Sequence, residues 1–322
     1  MNETQNLAWF KLLAALVALA AGVGAVVTAF LLAHETPSAG STSSGPQAAA
    51  VAPPPPVGPR FPTPPAGAVT LAQEDRDLAV GLAARRDGML QASVVGQESP
   101  ASGLAVSFRP VGGQPVPARA CGPGCYRARV PDARSVQVTI SGRGRAPSTL
   151  TFALPAAAPV ATAIVRRAER TWRSLKTLVV HDRLASSPQN AITTFWQFAA
   201  PDRQTYAIVN GPQAVVIGDR RWDRLPGHGW QASDQTPIRE PVPLWEGVAN
   251  AHLLGKATVR GRPTWKISFF DPQIQAWFTI WVDRETARTL ELRMTAQAHF
   301  MHQIYGPFDR PLRIVPPAKT AA

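Results

Sequence analysis

The 322-residue chain is basic, with 33 Lys and Arg against 21 Asp and Glu and a net charge of +12. That length allows about two domains plus appendages. The positive excess is spread over residues 67–156 and 157–322 without a basic run. With no basic helix or aromatic–basic motif, the reading is no nucleic-acid partner. A solvated basic surface, or one facing anionic headgroups, remains.

The first element is apolar. Leu12 to Ala33 is an uncharged run of 22 residues. At ~1.5 Å per residue it is long enough to cross a ~30 Å hydrocarbon core. Lys11 flanks one end, and His34 and Glu35 the other. The positive-inside rule puts the tail, residues 1–11, in the cytoplasm and the remainder outside. The expectation is a single-pass signal anchor at 12–33 in the cell membrane. A cleaved signal peptide is the alternative. Residues 34–66 hold Ser41-Thr42-Ser43-Ser44-Gly45 and the proline run Pro53–Pro56, followed by Pro59, Pro62, Pro64 and Pro65. Such a stretch buries little apolar surface and reads as a linker, partly polyproline II.

Residues 67–155 read as short strands separated by turn residues: Leu78–Leu82, Leu90–Val95, Leu104–Phe108, Cys125–Val130, Val136–Ile140 and Thr149–Leu154. Val136, Val138 and Ile140 alternate with Gln137 and Thr139. Many short strands in so few residues predict a small immunoglobulin-like β-sandwich. Cys121-Gly-Pro-Gly-Cys125 spans a tight turn and is expected to form a disulfide, as befits an oxidising compartment. A metal or redox pair is the alternative, but the spacing is not C-x-x-C and no second Cys pair exists. The domain also resembles the β-sandwich modules of bacterial copper-uptake and copper-resistance proteins of the CopC/CopD type, without a diagnostic metal motif.

Residues 156–317 open differently. Val160, Ile164, Val165, Ala168, Trp172 and Leu175 fall at helical spacing, with Arg166, Arg167, Arg170 and Arg173 elsewhere on the helix. This predicts an amphipathic helix of about five turns. Strands follow: Leu178–Leu184, Ile192–Phe198, Thr205–Val209, Ala214–Ile217 and Arg220–Arg224. Trp245–Leu254 is expected to be a short helix. Then come Thr264–Phe270, Trp277–Val282, Leu290–Ala298 and Phe300–Tyr305, before a tail at 318–322. Hairpin signals lie at Pro201-Asp202, Asn210-Gly211, Arg260-Gly261-Arg262 and Asp283-Arg-Glu-Thr286.

In sequence order, the helix precedes Phe198-Ala-Ala-Pro-Asp-Arg203, Ala214-Val-Val-Ile-Gly218, Trp222, Gly229-Trp230 and Trp281-Val-Asp-Arg-Glu-Thr286. This series resembles the lipoprotein-carrier half-barrels of the LolA/LppX/LprG-like group. The resemblance covers about 160 residues. It implies a curved antiparallel sheet around helices, an apolar cavity, and lipid or lipoprotein cargo. The fold expectation is therefore mainly β: an N-terminal transmembrane helix, a small β-sandwich and a helix-covered antiparallel half-barrel (α+β).

Eight of the nine tryptophans lie in residues 156–317. Aromatic side chains build cores and line apolar pockets alike. Trp196, Phe198, Trp265, Phe269, Trp277 and Trp281 are the candidate lining residues, and a helix-on-sheet core is the alternative. A second constellation is Met294, His299, Met301 and His302, whose thioether and imidazole groups suit copper. On a strand His299 and Met301 share a face while His302 points the other way. His181 and Asp182, adjacent on a strand, diverge in the same manner. No Gly-x-Ser-x-Gly elbow, His-Glu-x-x-His, phosphate-binding loop or dinucleotide fingerprint occurs. The functional expectation is a non-enzymatic, membrane-anchored extracytoplasmic protein whose half-barrel holds a lipid, acyl chain or other hydrophobe. Copper handling at the cell surface and a non-catalytic adaptor with a filled half-barrel are the alternatives. The sequence names no protein partner.

Overall fold

The structure, a computed structural model, describes residues 61–142 and 144–318. The apolar run at 12–33 and most of the linker lie outside the described residues. Among the described residues no helix is long and apolar enough to cross a membrane.

Two sheets come first. Strands β1 (Val69–Asp75), β2 (Leu78–Ala84) and β3 (Met89–Val95) pair with β6 (Arg119–Gly122) and β7 (Cys125–Arg129) in the order β1-β2-β3-β7-β6. The second sheet runs β5-β4-β8-β9, from β4 (Ala105–Pro110), β5 (Val116–Pro117), β8 (Ser135–Gly142) and β9 (Arg145–Ala153). Val80, Leu82, Val94, Phe108, Val138 and Ile140 meet between them as one buried core. Cys121 and Cys125 are joined by a disulfide across the β6–β7 turn, with their Cα atoms 5.0 Å apart. Strand β2 is apolar throughout because both its faces are covered. Leu78, Val80 and Leu82 point into the sandwich. Ala79 packs the other way, with Phe270, Trp277 and Phe300.

Helix α1 spans Thr162–Arg173 and buries Val165, Ala168 and Trp172. It is shorter than the periodicity predicts. Val160 is 74% exposed rather than part of the apolar stripe. The chain there is extended: Val160 bridges His252, and Leu253 donates its N–H to the Pro159 carbonyl.

The third sheet has eleven antiparallel strands in two meanders. The first contains β10 (Thr177–Ala185), β11 (Ala191–Ala199), β12 (Arg203–Ile208), β13 (Gln213–Ile217), β14 (Arg220–Arg224) and β15 (Gln231–Asp234). The second contains β16 (Ala249–Val259), β17 (Arg262–Asp271), β18 (Ala276–Asp283), β19 (Thr289–Ala296) and β20 (His299–Phe308). The first strand of one meander and the last of the other, β10 and β20, form the seam. Helix α1 reaches this seam through its last turn. Trp172 meets Tyr305 of β20 edge-on, with ring centroids 4.7 Å apart.

The expected short helix at Trp245–Leu254 is instead a loop running into β16. Asp271 fixes the loop, its Oδ2 accepting the N–H groups of Glu246 and Gly247. Asn250 takes a positive φ of 55°. Partner-strand pairing with β17 outweighs the weak helical bias of Ala249–Leu254. At the following turn Arg260 and Gly261 have φ of 46° and 78°, the left-handed pair that a two-residue hairpin requires.

The two parts touch directly, within one compact unit. Trp277 and Phe270 of the large sheet meet Phe61, with centroids 5.5 and 6.2 Å from its ring. Phe61 lies in the stretch read as linker. The segment after it is held by Ser93 Oγ donating to the Pro62 carbonyl and Gln91 Nε2 to that of Thr63, both at 2.9 Å.

Candidate functional site

Strand alternation divides the large sheet into a helix-side face and a far face. Under α1 the helix side is filled. Trp245 contacts Trp172 at 5.9 Å and Phe269 at 5.5 Å, and Phe269 stacks on Phe278 at 5.0 Å. The Trp245 indole donates to Glu169 Oε1 at 2.6 Å, tying the crossing loop to the helix. Phe269 is fully buried here and acts as core.

Along β10–β14 the helix side changes character. Register places Val180, Trp196 and Tyr206 in a row across three strands, with Phe198 beside them. Trp196 and Phe198 stack at 5.9 Å with planes 6° apart, and Trp196 meets Tyr206 at 4.9 Å. Trp196 and Phe198 are only half-buried, so this aromatic shelf presents apolar surface.

Polar groups surround the shelf. Arg221 is buried and held from two sides: it donates to both carboxylate oxygens of Asp223, at 2.7 and 2.8 Å, and to the Tyr206 hydroxyl at 3.1 Å. Asp182 is buried beside Trp196. Its Oδ1 and the Trp196 Nε1 are both without a hydrogen-bond partner. Burial pushes its carboxyl up to about 7, with the Gln303 side chain opposing. Glu240, in the crossing loop, is likewise raised by burial to about 7, although it accepts the Val242 N–H.

The six candidate lining residues do not form one set. Trp196 and Phe198 build the shelf, and Phe269 is core. Trp265 borders a small pocket of about 230 Å³ beside Ala163 and Ile164 of α1, with the Arg284 guanidinium 4.5 Å from its ring. Trp277 and Trp281 lie on the far face of the sheet, away from the shelf. Trp277 packs on the sandwich, and both border a groove of about 750 Å³ between the two parts. Alternation separates two faces but does not say which one a helix will cover, and here both faces of β18 carry large side chains.

The four candidate copper ligands are also divided. Met294 and Met301 are cross-strand partners and buried. His299 Nδ1 contacts the Gln297 carbonyl at 2.9 Å, and His302 Nε2 contacts Glu291 at 2.9 Å. Among the described residues no group of three or more His, Cys, Asp and Glu side chains is arranged to hold a metal ion.

No family model matches the chain, and no curated protein matches it. Solved structures do. The chain is similar to the crystal structure of Mycobacterium tuberculosis lipoprotein LppX, at 14% identity over 48% of this chain and 97% of that one, with a TM-score of 0.37. It is similar to LprF from Mycobacterium bovis, at 12% identity over 51% of this chain and 100% of that one, with a TM-score of 0.38. The copper-module resemblance of residues 67–155 gains no support from these structures.

Sequence reasoning missed Tyr206 and Arg221 around the shelf. Arg221-Trp222-Asp223 carried the signal: Arg and Asp two apart on a strand share a face, so the pair can close on itself.

Proposed function

We propose that this chain is an extracytoplasmic binding protein, tethered by residues 12–33, that holds the apolar part of a lipid or other hydrophobe. The aromatic shelf of Trp196, Phe198 and Tyr206 carries this reading: Trp196 touches both other rings, Tyr206 is buried beneath, and Trp196 and Phe198 stand half-covered on the helix side of the sheet. Burying an acyl chain there at ~25 cal/mol per Å² of apolar surface would supply several kcal/mol. Nothing in the arrangement calls for catalysis. Arg221 and Asp223 are satisfied by each other, so this pair does not compete for the shelf's apolar surface.

The test is photo-crosslinking of the full chain, in non-ionic detergent, to a diazirine-bearing fatty acid. Adducts on peptides from β11 and β12, competed by unlabelled fatty acid, support the reading. Adducts only on residues 12–33, or none, refute it.

A filled half-barrel serving as an adaptor is the second reading, favoured by the closed aromatic core of Trp172, Trp245, Phe269 and Phe278 under α1. It predicts no competed adduct at the shelf.

A further inference from the structure

The far face of the large sheet carries a row of basic side chains. Register aligns Thr279, Arg293, His302 and Arg183 on the adjacent strands β18, β19, β20 and β10. Arg293 and Arg183 thus flank His302 as immediate cross-strand neighbours. The next row brings in Lys266, Trp281 and Glu291. Lys266 and Arg293 lie over the Trp281 ring, 5.3 and 5.8 Å from its centroid.

Two carboxylates share this surroundings. Glu291 contacts His302 at 2.9 Å and Arg293 at 3.7 Å, and Glu74 enters from the sandwich side. Among the described residues Arg183 and Lys266 have no carboxylate within salt-bridge distance. Burial lowers the Lys266 ammonium's pKa, and the charge of Arg293 lowers it further, against Glu291. All four basic groups border the groove of about 750 Å³, whose opposite wall is Leu71 to Glu74 and Thr151 to Ala153 of the sandwich. Four basic side chains against one carboxylate, Glu74, line the groove, and a mainly basic cleft concentrates its field on what enters.

We propose that this groove binds a phosphate-bearing ligand, the phosphate over Arg293, His302 and Arg183 and the remainder of the molecule against Trp281. Guanidinium forks match phosphate oxygens, and Arg183 and Arg293, one on each side of His302, bring two such forks to one group. The groove exceeds what a bare phosphate fills, which leaves room for the group that bears it. The site is on the face opposite the aromatic shelf and does not depend on the shelf's role.

A phosphate of this kind comes from a lipid headgroup or from a soluble ester, and two probes separate them. The full chain in non-ionic detergent is titrated calorimetrically with glycerol 1-phosphate. It is also titrated with mixed micelles containing phosphatidylglycerol, with phosphatidylcholine as the reference. Saturable binding of glycerol 1-phosphate identifies the soluble source. Binding of phosphatidylglycerol micelles alone identifies the headgroup. In either case Arg183→Gln and Arg293→Gln should each weaken binding at least tenfold. Arg183→Gln should leave the thermal midpoint in place, since Arg183 has no carboxylate within salt-bridge distance, and Arg293→Gln should lower it only slightly, through its exposed contact with Glu291; Arg166→Gln, on the exposed side of α1, should change nothing. If a Gln variant does not fold, Arg183→Lys and Arg293→Lys keep the charge, lose the fork and should still weaken binding. No saturable binding of either probe, or equal affinity in the Arg183 and Arg293 variants, overturns the proposal.

Discussion

Gly81 of β2 and Trp277 of β18 interlock: the indole of one occupies the space where a Cβ on the other would stand. The backbone at Gly81 does not need a left-handed conformation, so its requirement is spatial. Trp277 is 3% exposed in this joint, packed with Phe61, Phe270 and Ala79. The contact fixes the sandwich against the far face, and with it the opposite wall of the basic groove.

Gly81→Ala should therefore destabilise the protein by ~1–3 kcal/mol, the usual cost of overpacking. Trp277→Leu alone should also destabilise it, by leaving a cavity. The double variant should be more stable than the sum of the two losses implies, because the smaller side chain makes room for the new methyl. Denaturant unfolding of the four chains gives the coupling energy. Strict additivity would show that the close approach does not matter.

How much of this could be read from the sequence depends on the range of the signal. The β18–β19 hairpin was legible because its period-2 pattern and the Asp283-Arg-Glu-Thr286 turn are local. So was the buried stripe Val165, Ala168 and Trp172 of α1. Strand β1 was passed over because Gln73 and Glu74 interrupt its alternation. The failure at Trp245–Leu254 was tertiary, since Asp271 and β17 decide that segment from about twenty residues away. The basic row was out of reach entirely. Arg183 meets His302 only through the β10–β20 seam, which pairs residues more than a hundred positions apart.

Asp283 makes a second prediction, about acid. Its Oδ1 accepts N–H groups from Glu285 and Thr286 and the Thr286 hydroxyl, and its Oδ2 accepts Arg262 Nε at 2.5 Å. Burial raises its carboxyl pKa, but Arg262 and Thr286 override that and hold it at about 2. A depressed carboxyl contributes stability above its unfolded value, near 4, and loses it as pH falls through about 2. Asp283→Asn should destabilise the protein at pH 6 and flatten the loss between pH 4 and 2. Thermal midpoints at pH 6, 4, 3 and 2 check this; parallel curves for both proteins would contradict it.

Asp182 has the opposite sign. Its carboxyl is raised to about 7, so the folded state keeps a proton that the unfolded chain releases. Stability from this group is full below about 4, falls as pH rises toward 7, and is level above. Glu240, also raised to about 7, adds a slope in the same direction. Asp182→Asn removes the ionisation while keeping the shape. The variant should gain on the wild type from pH 4 to 7, by at most ~4 kcal/mol, and hold the gain above. A variant no more stable at pH 8 than at pH 4, relative to wild type, would place the charge of Asp182 in contact with a partner.

The last prediction separates a lining aromatic from a core one. Trp172 is 5% exposed and touches both Trp245 and Tyr305. Trp172→Ala should cost ~3–5 kcal/mol, as large-to-small changes in cores do. Phe198 is half-buried and stacks on Trp196 alone among the described aromatic rings. Phe198→Ala should cost less than half as much, because part of its surface already meets solvent. If the shelf holds an acyl chain, the same change should remove most of the competed diazirine adduct on β11 and β12. A Phe198→Ala protein as damaged as Trp172→Ala would make the shelf part of the core. One that kept its adduct would move the hydrophobe elsewhere on the helix side. Only a small stability loss joined to a large loss of labelling fits an apolar surface kept open for a ligand.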